Sequence, residues 1–231
     1  MCIRDSYEEW LGKLPLPELE RASMLFDIGE LHRAPYGRAK RLLDLCVALV
    51  GLVPLAVLLP VVSILNRVAN RGPLLYRQAR VGRGGALFTI VKLRTMRPTD
   101  AGELPNEWTT EDDPRITRVG RLLRRTHLDE LPQVLNVLRG DLSVVGPRPE
   151  QPRYVAELEQ KLAFYQLRHS VRPGITGWAQ VNGHRGETET IEKMQARVEY
   201  DLEYLRNWSL ALDLQIIIRT IRVAFFNSKA Y

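Results

Sequence analysis

Leu45 to Leu65 reads LCVALVGLVPLAVLLPVVSIL, a run of about 21 residues without a charged side chain. As a helix, a run of this length is about long enough to cross the hydrocarbon core of a bilayer. Pro54 lies in its middle and Pro60 follows, and an interior proline removes a helical hydrogen bond and kinks or breaks the helix. A simple transmembrane helix is therefore only one of the structures that this stretch can form.

Basic residues flank the run on both sides, and the positive-inside rule places such residues on the cytoplasmic side of a membrane. Both flanks can obey this rule only if the chain enters the bilayer, breaks near Pro54 and returns to the same face. We therefore expect a re-entrant helix-break-helix hairpin over about residues 39–67. A straight span, which would put the flanks on opposite sides, and a buried core helix remain alternatives. The flanking residues are Arg38, Lys40 and Arg41 before the run, and Arg67, Arg71, Arg77, Arg80 and Arg83 after it.

The composition limits the partners and the compartment. The chain has 231 residues, with 33 lysines and arginines against 27 aspartates and glutamates, and its net charge of +6 favours anionic partners such as phosphates and anionic lipid. Its two cysteines, Cys2 and Cys46, do not indicate a disulfide framework, and its four scattered histidines do not indicate zinc. Residues 1–36 mix charges with prolines and are interpreted as a linker or the end of a longer parent protein, and residues 37–231 as the main domain.

A second stretch, Leu128–Gln133, reads LDELPQ and carries two adjacent carboxylates. Proline is tolerated in the first turn of a helix, so Pro132 predicts a helix start close to Asp129, and Gly140 supplies the stop. At this end of a helix, unpaired N–H groups and the helix dipole favour a charged carboxylate. An acidic cap is therefore the ordinary interpretation of Asp129 and Glu130. The apolar stripe behind them consists of Leu131, Val134, Leu135 and Leu138.

Arginines on both sides favour a second interpretation of these carboxylates. Arg121, Arg124 and Arg125 precede them on a predicted basic helix, and Gly146–Pro149 (GPRP) follows. Two prolines stiffen the backbone around Arg148, which suits bidentate phosphate recognition and is also ordinary for a loop. Carboxylates bracketed by arginines suit a phosphate and a divalent cation better than they suit a cap.

The remaining patterns predict an α+β fold that is mainly helical, with a small β-hairpin. The hairpin is hinged on Gly82–Gly85, and its second strand, 86–96, presents Lys92 and Arg94 on one face. This pair is either a solvated face or the lining of an anion site. Further predicted elements are a polar surface loop at 97–114, a strand at 142–145, an amphipathic helix at 155–169 and a rigid proline- and glycine-rich loop at 172–183.

Two helices are expected to close the chain. On the helix 191–208, Asp201 falls on the same apolar stripe as Met194 and Leu205, and a buried carboxylate needs a partner. That partner is either a core arginine, in an ion pair, or a metal close to the site. The helix 210–226 is apolar with two arginines, and it is either an interfacial amphipathic helix or a core helix.

Five motifs occur in an order that is specific to one family. They are Lys40–Asp44 (KRLLD), Lys92–Met96 (KLRTM), Leu128–Gln133 (LDELPQ), Gly146–Pro149 (GPRP) and Arg172–Gly183 (RPGITGWAQVNG). With these motifs the chain resembles, from about Tyr36 to its C terminus, the bacterial polyprenyl-phosphate phosphoglycosyltransferases, the monotopic sugar transferase family. One departure is Val53 before Pro54, where the family often has a serine.

The resemblance implies that a sugar 1-phosphate is transferred from a UDP-sugar to undecaprenyl phosphate, with release of UMP, at the cytoplasmic face of the bacterial inner membrane. Asp129 would be the nucleophile that forms a phosphosugar-aspartyl intermediate, and Glu130 a metal partner or acid/base. Mg²⁺ would be the cofactor, held by Asp129 and Glu130, with Asp201 as a further candidate ligand. The candidate phosphate- and substrate-binding residues are Lys92, Arg94, Arg124, Arg148, Arg172 and Gln180.

Alternatives remain for the donor sugar and for the class of protein. Gly183–Glu189 (GHRGETE) resembles the exopolysaccharide-initiating branch and favours UDP-glucose or UDP-galactose, while an N-acetylated sugar stays open. A non-catalytic basic adaptor on anionic membrane would explain the charge and the apolar run, but not Asp129 beside Glu130. Membrane lipid is an expected partner and a homodimer is left open. Nucleic acid is not expected, because the chain carries no recognised reader motif.

Overall fold

The computed structural model describes residues 34–69, 72–97, 113–184 and 190–226. Most of the predicted linker at 1–36 and most of the predicted loop at 97–114 lie outside the described residues. The chain divides into two compact units, Met1–Ala39 and Lys40–Tyr231. The packing reported below is that of the second unit.

The predicted class, mainly helical with a small β-hairpin, is confirmed. The helices are α1 (Ala34–Ala69), α2 (Arg118–Arg125), α3 (Val134–Arg139), α4 (Pro152–Lys161), α5 (Trp178–Val181), α6 (Ile191–Arg206) and α7 (Leu210–Phe226). The strands are β1 (Leu75–Val81), β2 (Leu87–Leu93), β3 (Ser143–Val145) and β4 (Gly174–Thr176). Short 3₁₀ turns cover Arg83–Gly85, Leu128–Gln133 and Tyr165–Ser170.

Helix α1 contains both prolines of the apolar run, Pro54 and Pro60, so the re-entrant hairpin predicted from a break at Pro54 is not confirmed. A proline removes one helical hydrogen bond, but one face of α1 packs on the domain before and after both prolines and supports the helix there. The buried positions recur at helical spacing. They are Lys40, Asp44, Ala48, Leu55, Val62 and Asn66.

Buried polar contacts fasten the beginning of α1 to the domain. Lys40 Nζ donates to Asp213 Oδ2 of α7 at 2.9 Å. Asp44 Oδ1 accepts from the Ser143 hydroxyl and from the Val144 N–H, each at 2.9 Å. Because buried charges are tolerated only when they are paired, these contacts fix α1 against β3 and α7.

Arg41 connects α1 to the last turn of α3. Its guanidinium donates to the Val137 carbonyl at 2.6 Å and to the Leu138 carbonyl at 2.9 Å. A cation at a helix C terminus satisfies carbonyls and complements the helix dipole. Gly140 follows with φ 94, so the stop predicted there is confirmed.

The opposite face of α1 is apolar and exposed, with Val50 at 72% and Val57 at 68%. The helix is long and apolar enough to cross a membrane. An apolar face of this extent is unusual on a soluble monomer and marks an interaction surface. The exposed apolar residues are Leu42, Leu49, Val50, Val53, Val57, Val61, Ile64 and Leu65.

The main core lies between α1, α3, β3 and the two last helices. The stripe predicted behind LDELPQ belongs to it, because Val134 is buried and Leu131, Leu135 and Leu138 pack against it. Helix α7 contributes Ile216 to this core and keeps a second apolar face exposed; the interfacial alternative for this helix stays a prediction. The other buried members are Ala48, Leu55, Ile90, Val137, Leu142, Val144, Val145, Val171, Tyr204 and Leu205.

Two small sheets complete the fold. Strands β1 and β2 pair antiparallel from Leu75↔Leu93 to Val81↔Leu87, which confirms the predicted hairpin. Strands β3 and β4 pair in parallel, and β4 was not predicted, since its partner lies some thirty residues away along the chain. A Cβ atom at Gly174 would overlap the Gly146 backbone, so glycine lets the GPRP and RPGITG segments lie side by side.

The helix predicted at 155–169 was wrong in its extent. Helix α4 ends at Lys161, and a 3₁₀ turn starts at Tyr165 after Phe164, which has φ 60. The left-handed conformation of Phe164 interrupts the helix and turns the chain. This change of direction sets the position of Arg168, which contacts the candidate site.

Candidate active site

A left-handed residue and a 3₁₀ turn present the two carboxylates. His127 has φ 55 and precedes the turn Leu128–Gln133, which contains Asp129 and Glu130. The regular helix α3 begins only at Val134, so the helix start predicted near Asp129 is a 3₁₀ turn. The turn packs against β2, the strand that carries Lys92.

Glu130 is held by two cations. Its Oε1 atom accepts from Lys92 Nζ at 2.7 Å and from Arg148 Nη2 at 2.7 Å. Burial alone would raise the pKa of Glu130, but Arg148 and Lys92 together hold this pKa well below its usual value. Glu130 is therefore a permanent anion near neutral pH, and its role in this geometry is to fix the two cations beside Asp129.

The pKa of Asp129 is shifted in the opposite direction. Burial, and then the charge of Glu130, raise the pKa of Asp129 to about 6, against the effect of Lys92, Arg124 and Arg148. The helix end was expected to favour the charged form, but desolvation and the adjacent carboxylate outweigh the favourable charges and raise the pKa instead. At pH 7 Asp129 is still mostly ionised, and among the residues that the structure describes no side chain donates to it.

Helix α2 carries Arg124 to the site. Thr117 Oγ1 accepts from the Gly120 N–H at 3.0 Å and starts the helix. A Cβ atom at Gly120 would overlap the Thr95 carbonyl, so glycine lets α2 lie close to the KLRTM segment. Arg124 Nε then donates to Thr95 Oγ1 at 2.9 Å, and its charge acts on Asp129. The predicted basic helix therefore does supply a cation to the carboxylate pair.

Three arginines that were not predicted as site residues surround the segment of Arg148: two donate to its backbone carbonyls and one to the Glu150 side chain. Arg168 Nη2 donates to the Arg148 carbonyl at 2.9 Å, and Arg80 Nη1 donates to the next carbonyl at 3.1 Å. Arg197 Nη1 donates to the Glu150 carboxylate at 2.8 Å. The sequence places Arg80 in the basic flank of the apolar run and gives no sign that β1 turns it towards the GPRP segment.

Asp201 lies in an ion pair with a core arginine, which was one of its two predicted alternatives. Its Oδ2 atom accepts from Arg168 Nη2 at 2.7 Å and from Arg168 Nε at 3.1 Å. Both side chains are buried. Within the described ranges no three Asp, Glu, His or Cys residues come together as a metal site, and a metal role for Asp201 stays a prediction.

Of the three other predicted substrate residues, Arg94 and Gln180 make local side-chain contacts. Arg94 Nε donates to the Pro73 carbonyl at 2.7 Å and does not share the Glu130 anchor of Lys92. Gln180 is buried, and its Nε2 atom donates to the Ile175 carbonyl at 3.3 Å. Arg172 is half-buried just before β4. Substrate roles for these three residues stay predictions.

A long apolar helix packed along a domain with two carboxylates among lysine and arginine side chains is consistent with a membrane-associated protein that handles anionic groups. The chain belongs to the bacterial sugar transferase family, whose sequence model matches residues 36–227. The region of resemblance predicted from the motifs, from about Tyr36 onwards, is therefore confirmed.

Several curated relatives match most of this chain. A protein of Escherichia coli (strain K12) named UDP-glucose:undecaprenyl-phosphate glucose-1-phosphate transferase is 42% identical over 87% of this chain and 44% of its own length. A protein of the same name from Xanthomonas campestris pv. campestris is 46% identical over 79% of this chain and 38% of its own. The Aeromonas hydrophila UDP-N-acetylgalactosamine-undecaprenyl-phosphate N-acetylgalactosaminephosphotransferase is 38% identical over 95% of this chain and 51% of its own. The chain thus spans about half of these relatives or less.

Proposed function

We propose that this chain transfers a sugar 1-phosphate from a UDP-sugar to undecaprenyl phosphate and releases UMP. The names of the relatives support the reaction and both substrates. The observation in this chain that carries the proposal is the carboxylate pair: Glu130 binds Lys92 and Arg148, and Asp129 lies beside these cations with no donor from any described side chain.

In the first step Asp129 is the nucleophile. One carboxylate oxygen attacks the β-phosphorus of the UDP-sugar and forms a P–O bond, while the bond from that phosphorus to the bridging oxygen breaks. The bridging oxygen leaves with its electron pair as part of UMP. Lys92, Arg124 and Arg148 act on Asp129 electrostatically, and the same charges would stabilise the phosphoryl oxygens as negative charge moves to the leaving group.

In the second step undecaprenyl phosphate resolves the phosphosugar-aspartyl intermediate. A phosphate oxygen of the lipid attacks the same phosphorus, the P–O bond to Asp129 breaks, and the carboxylate is restored. The product is undecaprenyl diphospho-sugar. The exposed apolar face of α1 supports a lipid substrate, because it gives the domain a surface that can meet the acyl chains of the bilayer.

Magnesium fits this site through Asp129. In phosphate-handling sites Mg²⁺ takes one or two carboxylates and completes its ligands with substrate phosphates and water. Glu130 Oε1 already accepts from two cations, whereas Asp129 is ionised at pH 7 and receives no such donor in the described part of the chain. Asp129 is therefore the residue that would hold Mg²⁺. When bound, the ion supplies positive charge to the diphosphate.

We also propose that α1 does not cross the bilayer as a straight span. Lys40 near its start and Val62 near its end both contact the same domain, although they are about 33 Å apart along a helix that rises 1.5 Å per residue. A perpendicular span would draw the polar surface of the domain into hydrocarbon. These contacts support a helix at the cytoplasmic face, with only its outer side in lipid and both basic flanks on one side.

The topology is tested with single cysteines at Arg38 and Arg77 in a chain whose own cysteines, Cys2 and Cys46, are replaced by serine. In oriented inner-membrane vesicles, an impermeant thiol reagent should label both positions from the cytoplasmic side. Labelling of the two positions from opposite sides would establish the straight span instead.

The reaction is tested by UMP release from UDP-glucose, UDP-galactose and UDP-N-acetylated sugars in the presence of undecaprenyl phosphate. Release is expected with wild type, and UDP-glucose is the expected donor because two of the relatives above are named for it. Asp129→Asn should abolish release. Asp141→Asn is the matched control, because its asparagine oxygen can still accept from Asn136. No release with any donor would leave the membrane adaptor as the better explanation.

A further inference from the structure

We propose that Arg168 and Asp201 are positioning residues that hold the Arg148 backbone so that its guanidinium reaches Glu130. This inference rests on the proposed function for its activity measurement, but not for its geometry. Arg168 is in the 3₁₀ turn Tyr165–Ser170 and Asp201 is on α6, so residues from two distant segments act on the GPRP motif.

The guanidinium of Arg168 is fully occupied by fixed partners. It is 2% exposed and lies over the Tyr165 ring, 5.1 Å from the ring centroid. Nη1 donates to the Tyr165 hydroxyl at 3.0 Å. Nη2 donates both to Asp201 Oδ2 at 2.7 Å and to the Arg148 carbonyl at 2.9 Å. Asp201 therefore sets the plane of the guanidinium, and this plane sets where the Arg148 carbonyl can point.

The two neighbouring prolines restrict the backbone of Arg148, and the direction of the Arg148 carbonyl is what can still vary. Pro149 restricts the residue before it to extended conformations, and Pro147 fixes its own φ. Within the extended region the hydrogen bond from Arg168 selects one carbonyl direction. The Arg148 side chain then leaves the backbone towards Glu130, where Nη2 donates to Oε1 at 2.7 Å.

Stability alone does not explain why a charged pair occupies this buried position. A buried ion pair seldom stabilises a protein more than well-packed apolar residues of similar volume would. Apolar residues could not donate to the Arg148 carbonyl, however, and an arginine can hold a carboxylate and a carbonyl with one planar group. The Arg168–Asp201 pair is therefore better explained by its orientation of the Arg148 carbonyl than by its own contribution to stability.

The test is Arg168→Lys. Lysine keeps the charge for Asp201, but one ammonium cannot hold Asp201, the Tyr165 hydroxyl and the Arg148 carbonyl in the planar geometry of a guanidinium. We expect the rate of single-turnover phosphosugar transfer to fall by about 10- to 100-fold. In an Arg148→Ala background the further loss caused by Arg168→Lys should shrink to less than about 2-fold, because no guanidinium is left to position.

Arg41→Lys is the matched control. Arg41 also donates two hydrogen bonds to backbone carbonyls, but at the end of α3, so its effect should be the same factor with and without Arg148. The same four-variant cycle is measured by denaturant unfolding, which requires no turnover, and the effects of Arg168→Lys and Arg148→Ala on unfolding should be non-additive.

The positioning role would be overturned if Arg168→Lys lowered the transfer rate by the same factor with and without Arg148, and if the effects of the two substitutions on the free energy of unfolding were additive. A wild-type protein that transfers no phosphosugar but shows the non-additive unfolding cycle would overturn the proposed function and leave the positioning role intact. An inactive protein with an additive cycle would overturn both.

Discussion

Asp129 and Glu130 are adjacent in sequence, yet their pKa values are displaced in opposite directions. Glu130 accepts from Lys92 and Arg148, which hold its pKa well below the usual value. Asp129 is half-buried beside that anion, and desolvation together with the charge of Glu130 raises its pKa to about 6. Two like groups whose environments separate their pKa values take different roles. Here Glu130 binds the cations, and in the proposed reaction Asp129 is the nucleophile.

Glu130→Gln tests this division of roles through the pH dependence of UMP release. In wild type the rate should fall below about pH 6, because protonated Asp129 cannot attack. The substitution removes the neighbouring negative charge and leaves the cations, so the acid limb of kcat/KM should move to lower pH by about 1 unit. Glu157→Gln, at an exposed position of α4, should not change the pH at which kcat/KM falls on the acid side. A limb that moves to higher pH in Glu130→Gln would contradict the assignment.

Asp129→Asn is expected to stabilise the fold at pH 7 while it abolishes turnover. A raised pKa means that the folded state binds the proton more tightly, so the contribution of Asp129 to stability is present below about pH 4 and is lost as pH rises through about 6. The free energy of unfolding should therefore be higher in the variant by about 1–3 kcal/mol at pH 7, and equal to wild type near pH 4. Denaturant titrations at the two pH values measure this difference, and a destabilised variant at pH 7 would count against the burial of an ionised Asp129.

At the scale of elements, α2 depends on one close backbone contact. Gly120 lies against the Thr95 carbonyl, and the same segment receives the hydrogen bond from Arg124. Gly120→Ala should destabilise the protein by about 1–3 kcal/mol through overpacking, and it should lower activity because Arg124 moves. Gly37→Ala is the control, since nothing lies within 4 Å of a Cβ atom there. Equal unfolding midpoints for the two variants would show that the contact is not tight.

The sequence predicts those elements whose signals are local. The apolar run, the glycine-hinged hairpin and the stripe behind LDELPQ follow from periodicity and turn residues, and all three are found in the structure. The pairing of β3 with β4 and the hydrogen bond from Arg168 to the Arg148 carbonyl join segments that no local pattern connects.

Two of the predictions that the structure altered share one physical cause. A proline was expected to break α1, and the helix end was expected to favour ionised Asp129. In both cases long-range packing outweighs the local signal, because it supports the helix around Pro54 and removes water from Asp129. The sequence identifies the charged residues of the candidate site, but which of them contact each other depends on the fold.

At the scale of the whole molecule, the exposed face of α1 is the surface expected to meet lipid. A triple variant, Val50→Ser with Val53→Ser and Val57→Ser, changes only exposed positions. It should fold normally and bind vesicles that contain anionic lipid at least about tenfold more weakly, since each valine loses apolar burial in the bilayer. Leu122→Ser, at another exposed apolar position, on α2, should bind like wild type. Vesicle sedimentation measures this, and unchanged binding of the triple variant would place the membrane contact elsewhere.

The covalent intermediate on Asp129 is the central claim, and one measurement tests it most directly. Purified enzyme is incubated with a UDP-sugar labelled in the β-phosphate, without undecaprenyl phosphate, then quenched and analysed by intact-protein and peptide mass spectrometry. One phosphosugar group per chain on the peptide that contains Asp129 is expected, with its disappearance after addition of undecaprenyl phosphate and its absence in Asp129→Asn. An enzyme that releases UMP in the complete reaction but never carries the label, or carries it on another residue, would contradict the account.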